Sequence, residues 1–325
     1  MKSIKIISFI ALAIVCISIT SCKKTGGEDP VSQTISLSES YKRIISATVS
    51  STATGLAATF TNLIADSVAR VTFCRTFTDS IRYFSDLSGY FFIEDFRGWN
   101  IAYPTNHSLE GTFLWDLTDP FGTYFIRVMS DSAQTRGHGF IEYYWNNPAT
   151  GSVGKKLSFV SAIPGIEYFI GSGFYIPATD PSISILESNK EISENLALST
   201  ALGFGSTFKT IYTDSVAQVQ FSRNYIDSIR FYVDRSGYFF IVNFSGFCMA
   251  NAANKSFEGT SVYDLQDSKG FYFIREMILL AKDPGNGFVE YYWKNPASGQ
   301  DTKKITYIHR IKGTDYFIGA GVYIE

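Results

Sequence analysis

The sequence Gly-Tyr-Phe-Phe-Ile at residues 89–93 recurs unchanged at residues 237–241. Four further motifs recur in the same order and at the same spacing: DSIR at 79–82 and 227–230, YFIR at 124–127 and 272–275, EYYW at 142–145 and 290–293, and YFIG at 168–171 and 316–319. A repeat of about 150 residues is far longer than a solenoid unit and has the length of one domain. The sequence therefore predicts a tandem duplication of a single domain.

The composition predicts a globular protein without a nucleic-acid partner, a disulfide framework or a metal site. The chain has 325 residues, of which 45% are hydrophobic and 18% charged, as in globular domains with packed cores. The formal net charge is −2 and no stripe of Lys or Arg is present, so a nucleic-acid partner is not expected. The cysteines do not occupy equivalent positions in the two copies, and the three histidines are scattered. We therefore expect no disulfide framework, no metal site and no cofactor.

Residues 1–21 have the pattern of an export signal. Two lysines precede a nearly unbroken apolar run over 6–19, which is too short for a membrane-spanning helix. The run ends in Ile-Thr-Ser-Cys at 19–22, which resembles the lipobox of bacterial lipoproteins, in which the cysteine is lipidated and becomes the mature N-terminus. An ordinary cleaved signal with an incidental Cys22 is the alternative. The polar segment 22–34 then predicts a flexible tether that holds the protein at the extracytoplasmic side of a bacterial envelope membrane.

Within one copy, the pattern predicts helices first and strands afterwards. A first helix is predicted around Tyr41, with Ser38 and Glu39 as capping residues, and a second from Asp66 toward Asp86. The predicted strands are 90–96, 100–103, 140–145, 156–163 and 168–175, and the predicted later helix lies within 109–133. A linker with two prolines, at 177–183, joins the copies. The predicted class is α+β, with a five-stranded antiparallel sheet and a helix inserted after its second strand.

One ordered series of motifs occurs in both copies. In the first copy it comprises Gly-Tyr-Phe-Phe-Ile at 89–93, Ala-Tyr-Pro at 102–104, Asp-Leu at 116–117, Tyr-Phe-Ile-Arg at 124–127, Gly-Phe-Ile-Glu-Tyr-Tyr-Trp at 139–145 and Gly-x-Gly-Phe-Tyr at 171–175. This series resembles the Cache family, and more narrowly the single-Cache type found in extracytoplasmic sensors of bacterial chemoreceptors and histidine kinases. The resemblance implies two PAS-like domains, at 35–176 and 184–325, each with a long N-terminal helix. It also implies that the concave face of each sheet holds a small ligand, frequently a carboxylate.

Two features depart from the family pattern. Family members usually continue into a transmembrane helix and a signalling module, whereas this sequence ends at Glu325. We therefore expect a protein that is anchored only at its N-terminus and acts through a separate membrane-bound partner. Many members also have His in place of Tyr103, and the second copy reads Ala-Asn-Ala at 250–252. The two pockets are therefore not expected to be chemically equal.

Strand alternation places Tyr143 and Trp145 on one face of the sheet, with Lys156 opening the next strand. A cation beside phenol hydroxyls and aromatic walls suits a small carboxylate. The predicted ligand-binding residues are Tyr103, Arg127, Tyr143, Trp145 and Lys156 in the first copy, and Asn251, Arg275, Tyr291, Trp293 and Lys304 in the second. The alternative is that the arginines form surface ion pairs and that the aromatic residues only pack the core.

Catalysis is not expected from this sequence. It contains no nucleophile elbow, no P-loop, no metal motif and no feature that pairs an acid with a base. The predicted function is capture or sensing of a small organic acid, with a separate signalling or transport partner. The alternative is a structural or adhesive surface lipoprotein that has lost its ligand, and concave faces filled by side chains would favour that alternative.

Overall fold

The computed structural model describes residues 33–324. The predicted signal peptide at 1–21, the lipidation site Cys22 and nearly all of the predicted tether lie outside these residues. Among the helices that are described, none combines the length and the apolar character that crossing a bilayer requires.

The first copy consists of long helices and one antiparallel sheet. Its α-helices are α1 (Leu37–Asn62), α2 (Ser67–Thr78) and α3 (Phe125–Arg136). Its strands are β1 (Thr34–Ser36), β2 (Phe92–Asp95), β3 (Asn100–Ala102), β4 (His138–Asn146), β5 (Val153–Ala162) and β6 (Tyr168–Tyr175). Strands β2 to β6 pair in the order β3-β2-β6-β5-β4, with α3 inserted between β3 and β4. The predicted α+β class and the position of the inserted helix are confirmed.

The second copy repeats this architecture. Its strands are β7 (Ser182–Ser184), β8 (Phe239–Asn243), β9 (Cys248–Asn251), β10 (Asn286–Lys294), β11 (Asp301–Arg310) and β12 (Tyr316–Ile324). Its α-helices are α4 (Ile185–Thr210), α5 (Ser215–Ile226) and α6 (Phe273–Lys282). The sheet order, β10-β11-β12-β8-β9, is that of the first sheet read from the opposite edge.

The first helix is longer than its apolar spacing predicts. Its N-cap is Ser36, whose hydroxyl accepts a hydrogen bond from the Glu39 N–H at 3.1 Å, so the cap predicted at Ser38 is wrong. The Ser-, Thr- and Ala-rich stretch that follows Val49 remains helical to Asn62. Hydroxyls in this stretch bond to carbonyls of the preceding turn, which satisfies them inside a buried helix.

The second helix is shorter than predicted. It begins after Asp66, which caps it as expected, but it ends at Thr78 rather than near Asp86. The chain then turns through Phe84 and Leu87, whose φ angles of 64° and 58° are not helical. These left-handed residues redirect the chain into the sheet.

The two copies face each other across an approximate twofold axis. Equivalent residues lie 148 positions apart, and the equivalent hydroxyls of Ser40 and Ser188 are hydrogen-bonded at 2.9 Å. Strands β1 and β7 pair antiparallel about the equivalent residues Ile35 and Ile183. Contacts between identical positions are the mark of an isologous interface, which normally forms between two chains. Here one chain supplies both halves.

Helices α1 and α4 pack against each other and carry this interface into the core. The rings of the equivalent residues Phe77 and Tyr225 stack with centroids 5.5 Å apart. Gly55 and Gly203, also equivalent, leave the space into which these rings fit. Each sheet therefore packs one face on its long helix, while α3 or α6 and the loop before it cover the other face.

Candidate functional site: two covered hollows

The covered face of the first sheet encloses a hollow between β2, β4 and α3. Apolar side chains form most of its wall, and the predicted residues Tyr103, Tyr143 and Trp145 line it together with Glu94. Phe125 stacks on Tyr143 at 4.5 Å between ring centroids. The cavity volume is ≈ 10 Å³, which is room for about one water molecule. Side chains therefore fill the first hollow almost completely.

A carboxylate fixes the loop that covers this hollow. Asp119 accepts hydrogen bonds from the backbone N–H groups of Phe121 and Thr123 within the loop, and from that of Tyr144 on β4. Asp267 makes the same three kinds of contact in the second copy. Both loops are thus tied to the sheet edge beside the hollow.

Lys156 lies behind the wall of the first hollow rather than in it. Its side chain is fully buried, and its Nζ donates to the Tyr90 hydroxyl at 2.9 Å. The Tyr90 hydroxyl also shares a hydrogen bond of 2.9 Å with the hydroxyl of Tyr103, which lines the hollow. A line of polar groups therefore runs from the buried ammonium through two phenols to the hollow.

The groups in this line shift one another's pKa values. Burial would raise the pKa of Tyr90, but the charge of Lys156 and the hydrogen bonds that Tyr90 receives hold this pKa below its ordinary value. Burial and the neighbouring Tyr90 raise the pKa of Tyr103 well above its ordinary value. Negative charge near the ammonium is thus favoured on Tyr90, while Tyr103 remains a neutral hydroxyl facing the hollow.

Glu94 is the other polar residue of the first hollow, and sequence reasoning did not select it. Its side chain is 1% exposed, and burial raises its pKa to about 8. The only nearby donor is the Asn100 Nδ2, at 3.5 Å from Oε1, while Oε2 has no hydrogen-bond partner within residues 33–324. The signal available in the sequence was the position equivalent to Glu94 in the second copy, which is Val242.

The second hollow lies at the equivalent place in the second copy, and some of the residues that line it differ. The predicted residues Asn251, Tyr291 and Trp293 line it, and Phe273 stacks on Tyr291 at 4.2 Å. Its cavity volume is ≈ 30 Å³, about two water molecules. Tyr238, Asn251 and Trp293 also border an outer groove of ≈ 420 Å³. This hollow therefore adjoins a separate groove that is large enough for a small metabolite.

Lys304 occupies the position of Lys156 in the second copy. It is fully buried, and its Nζ lies 3.8 Å from the centroid of the Tyr238 ring. Burial lowers the pKa of Lys304, and in the described part of the chain its Nζ has no hydrogen-bond partner. The Nζ of Lys304 lies against the faces of the Tyr238 and Tyr323 rings, and Tyr238 opposes the effect of burial on its pKa.

The structure places Arg127 and Arg275 outside the hollows. Arg127 pairs with Asp116, donates from Nε to the Trp115 carbonyl at 3.0 Å and lies over the Tyr124 ring at 4.0 Å. Arg275 pairs in the same way with Asp264. Both guanidinium groups are partly exposed and hold the covering loop against its helix.

Comparisons with known proteins agree with this architecture. A model of the Cache domain family matches residues 74–198 and 185–325. A sensor histidine kinase, MctS of Rhizobium johnstonii, is 38% identical over 88 residues, which is 27% of this chain and 19% of that protein. A methyl-accepting chemotaxis protein, McpP of Pseudomonas putida, is 29% identical over 92 residues, or 28% of this chain and 17% of that protein. The chain thus spans about a fifth of the length of the curated relatives it matches.

Solved structures include similar single domains. A Cache chemosensory domain described for carboxylic acid recognition is 26% identical, with a TM-score of 0.37, and the match covers 43% of this chain and 92% of that one. A methyl-accepting chemotaxis protein from Vibrio parahaemolyticus is 28% identical, with a TM-score of 0.33 and coverage of 38% and 81%. The family model spans more than half of the chain and matches it twice. This chain belongs to the Cache domain family.

Proposed function

We propose that this protein is a lipid-anchored, extracytoplasmic binding or sensing protein for a small carboxylate, acting through a separate membrane-bound signalling or transport partner. Cache domains are extracytoplasmic sensory domains, and the curated relatives are a sensor kinase and a chemotaxis receptor. Their names support a signalling partner. The lipid anchor is supported by the lipobox-like sequence that ends at Cys22.

The buried lysine of each copy carries the proposal. Lys156 and Lys304 are both fully buried, and neither forms a salt bridge with a carboxylate among residues 33–324. Burying an amine without a carboxylate partner costs free energy: only the Tyr90 phenol, whose pKa Lys156 lowers against the effect of burial, offsets it in the first copy, and in the second copy burial lowers the pKa of Lys304 itself. A ligand carboxylate would supply the missing charge. The adjoining phenols, Tyr90 with Tyr103 and Tyr238, would orient it.

A ligand of this kind must move side chains to enter. Volumes of ≈ 10 Å³ and ≈ 30 Å³ are smaller than acetate, so the described structure is closed. In the second copy, the rings of Tyr238 and Trp293 stand between the hollow and the outer groove. Their displacement would join the two spaces. Closure around a ligand would shift the covering loop and helix together. A partner that contacts them could then distinguish the ligand-bound protein from the empty one.

The filled hollows also favour a second candidate function. A structural or adhesive surface lipoprotein would keep the Cache scaffold and close its pockets, as the small volumes of both hollows suggest. The two candidates differ in one measurable property. A binding protein is stabilised by its ligand, whereas a scaffold with closed pockets is not.

Thermal unfolding of the mature chain, with Cys22→Ser to leave it unlipidated, tests the proposal. We expect acetate or propionate at millimolar concentration to raise the Tm, and Lys304→Met to remove the part of this rise that the second hollow provides. Lys303→Met is the matched control, because Lys303 lies next to Lys304 on β11 and pairs with Glu290 at the surface at 2.6 Å. Absence of any ligand-dependent shift across small carboxylates would favour the structural role.

The Lys304→Met variant has a second expected effect. Replacing the buried amine by a thioether of similar volume should raise the Tm of the ligand-free protein, because an unpartnered polar group is then no longer desolvated on folding. A protein that is more stable and no longer binds has lost a functional group rather than a structural one.

Labelling of the protein with radioactive palmitate tests the lipid anchor. We expect the label to be lost in Cys22→Ala.

A further inference from the structure

The floors of the two hollows differ in polarity. In the first copy the floor carries Glu94 on β2, with Asn100 beside it on β3. The equivalent residues of the second copy are Val242 and Cys248, both of which line the second hollow. The buried lysine and the rings of Tyr143 and Trp145 recur in the second copy as Lys304, Tyr291 and Trp293, whereas Tyr103 is replaced by Asn251. The hollows therefore differ in polarity at the Tyr103 position, near the lysine, and at the Glu94 position, away from it.

The polar groups of the first floor are not satisfied by the protein. Glu94 and Asn100 are each 1% exposed. Within residues 33–324, Glu94 Oε2 and Asn100 Oδ1 have no hydrogen-bond partner, and the contact between the two side chains is long, at 3.5 Å. Buried polar atoms almost always have partners, and an unpartnered one destabilises the fold. Glu94 lines the hollow, so its Oε2 has hydrogen-bonding capacity there that the described residues do not use. Because burial raises the pKa of Glu94 to about 8, the carboxyl group is protonated at neutral pH and can donate as well as accept.

The groups around Glu94 supply no partner for its Oε2. The titratable groups that act on Glu94, or on which it acts, are the carboxyl of Asp95 and the phenol of Tyr143, which shares a hydrogen bond of 3.1 Å with Ser158. Lys156 lies at the other end, bonded to Tyr90. The first hollow thus has the Tyr103 hydroxyl, backed by Tyr90 and Lys156, at one end and the Oε2 of Glu94 at the other.

We propose that the first hollow selects small carboxylates that carry a hydrogen-bond donor, namely hydroxy or amino acids, while the second takes carboxylates with a purely apolar tail. This inference rests on the proposed function, because it assumes that the carboxylate lies at the lysine end. Glu94 then accepts from the hydroxyl of the ligand, or pairs as the carboxylate with its ammonium. In the second hollow Val242 offers no such partner, and the Asn251 Oδ1 already accepts from the N–H groups of Ala253 and Asn254, so a donor on the ligand is rejected.

A single trapped water is the competing explanation for the unpartnered Oε2 of Glu94. The volume of ≈ 10 Å³ is just sufficient for one, and such a water would satisfy this atom without producing any ligand preference. Ligand selectivity therefore decides between the two explanations. Propionate, L-lactate and L-alanine share a three-carbon skeleton and differ only in having no donor, a hydroxyl or an ammonium.

Each hollow has its own tryptophan, which allows the test on the unaltered mature chain. The protein has four tryptophans, and Trp145 and Trp293 line the first and second hollows. After incorporation of 5-fluorotryptophan, titration followed by ¹⁹F NMR reports occupancy of each hollow separately. At the Trp145 resonance, we expect the Kd of lactate or alanine to be at least about tenfold lower than that of propionate. At the Trp293 resonance, we expect the Kd of propionate to be lower than that of either.

Two variants assign the preference to Glu94. Glu94→Val should abolish the preference for donors at the Trp145 resonance and leave titrations at Trp293 unchanged. Glu94→Gln should keep lactate binding and weaken alanine if the donor is an ammonium, because an amide lacks the negative charge that an ammonium favours.

The possible failures are distinguishable. Equal affinities of the three acids at Trp145, or a preference that survives Glu94→Val, would overturn this inference while leaving carboxylate binding intact. No shift at either tryptophan with any acid would overturn the proposed function, and this inference with it.

Discussion

Glu94→Gln should change how the stability of the protein depends on pH. Burial raises the pKa of Glu94 from an ordinary value of 4.5 to about 8, because the ionised carboxylate has lost its water and gained only a long hydrogen bond from Asn100. Between these two values the folded protein holds a proton that the unfolded chain releases. The contribution of Glu94 to stability is therefore greatest below about pH 4.5, falls as the pH rises, and levels off above about 8.

The magnitude follows from the size of the shift. Each pH unit inside this window removes about 1.4 kcal/mol, so the Glu94 contribution should fall by roughly 3–4 kcal/mol between pH 5 and pH 8. Glutamine has the shape of the protonated acid and does not titrate. The variant should therefore match the wild type near pH 5 and be clearly more stable than it at pH 8.

Denaturant unfolding at several pH values between 5 and 8 measures this difference. Other groups with displaced pKa values, such as Glu191 and Glu194, titrate in both proteins, so they cancel when the two curves are subtracted. Parallel curves for the wild type and Glu94→Gln would show that Glu94 is hydrated or partnered in solution. The reasoning from an unpartnered carboxylate would then be refuted.

Two further substitutions test the packing of the copies. Gly203→Ala should lower the free energy of unfolding by about 1–3 kcal/mol, because a Cβ there would lie 2.5 Å from the Phe77 ring, whereas Gly205→Ala on the same helix should be neutral or stabilising. Equal effects of these two variants in chemical denaturation would contradict the proposed close contact. Ser36→Ala should cost about 1 kcal/mol in the same assay, because the Glu39 N–H loses its cap, and an unchanged midpoint would argue against Ser36 as the N-cap.

Much of the fold could be predicted because the same pattern of motifs occurs in both copies. Aromatic strands such as β2 and the glycine breaks around α3 occur in both copies, so each copy supports the reading of the other. The errors fall where tertiary contacts override local pattern. Helix α1 continues through a Ser- and Thr-rich stretch because α4 and the sheet bury it on several sides. Strands β1 and β7 are too short to be recognised without knowing that they pair with each other.

The candidate site was predicted less completely. Strand alternation found the residues that line the hollows, including Tyr143 and Tyr291. It could not place Arg127, because a residue on a helix can turn toward the covering loop as readily as toward the sheet, and Asp116 draws it to the loop. Glu94 was missed because the comparison of the copies concentrated on what they share. The informative position was one at which they differ.

The approximate twofold arrangement explains why such a difference can persist. In a homodimer, any substitution that changes one hollow changes the other, because one sequence forms both. Here the contacts that hold the halves together pair equivalent residues, as with Ser40 and Ser188, and they constrain both copies to keep the same helices. The floors of the hollows lie on the other side of each sheet and take no part in that interface. Duplication within one chain thus allows Glu94 and Val242 to diverge while the interface between the copies is retained.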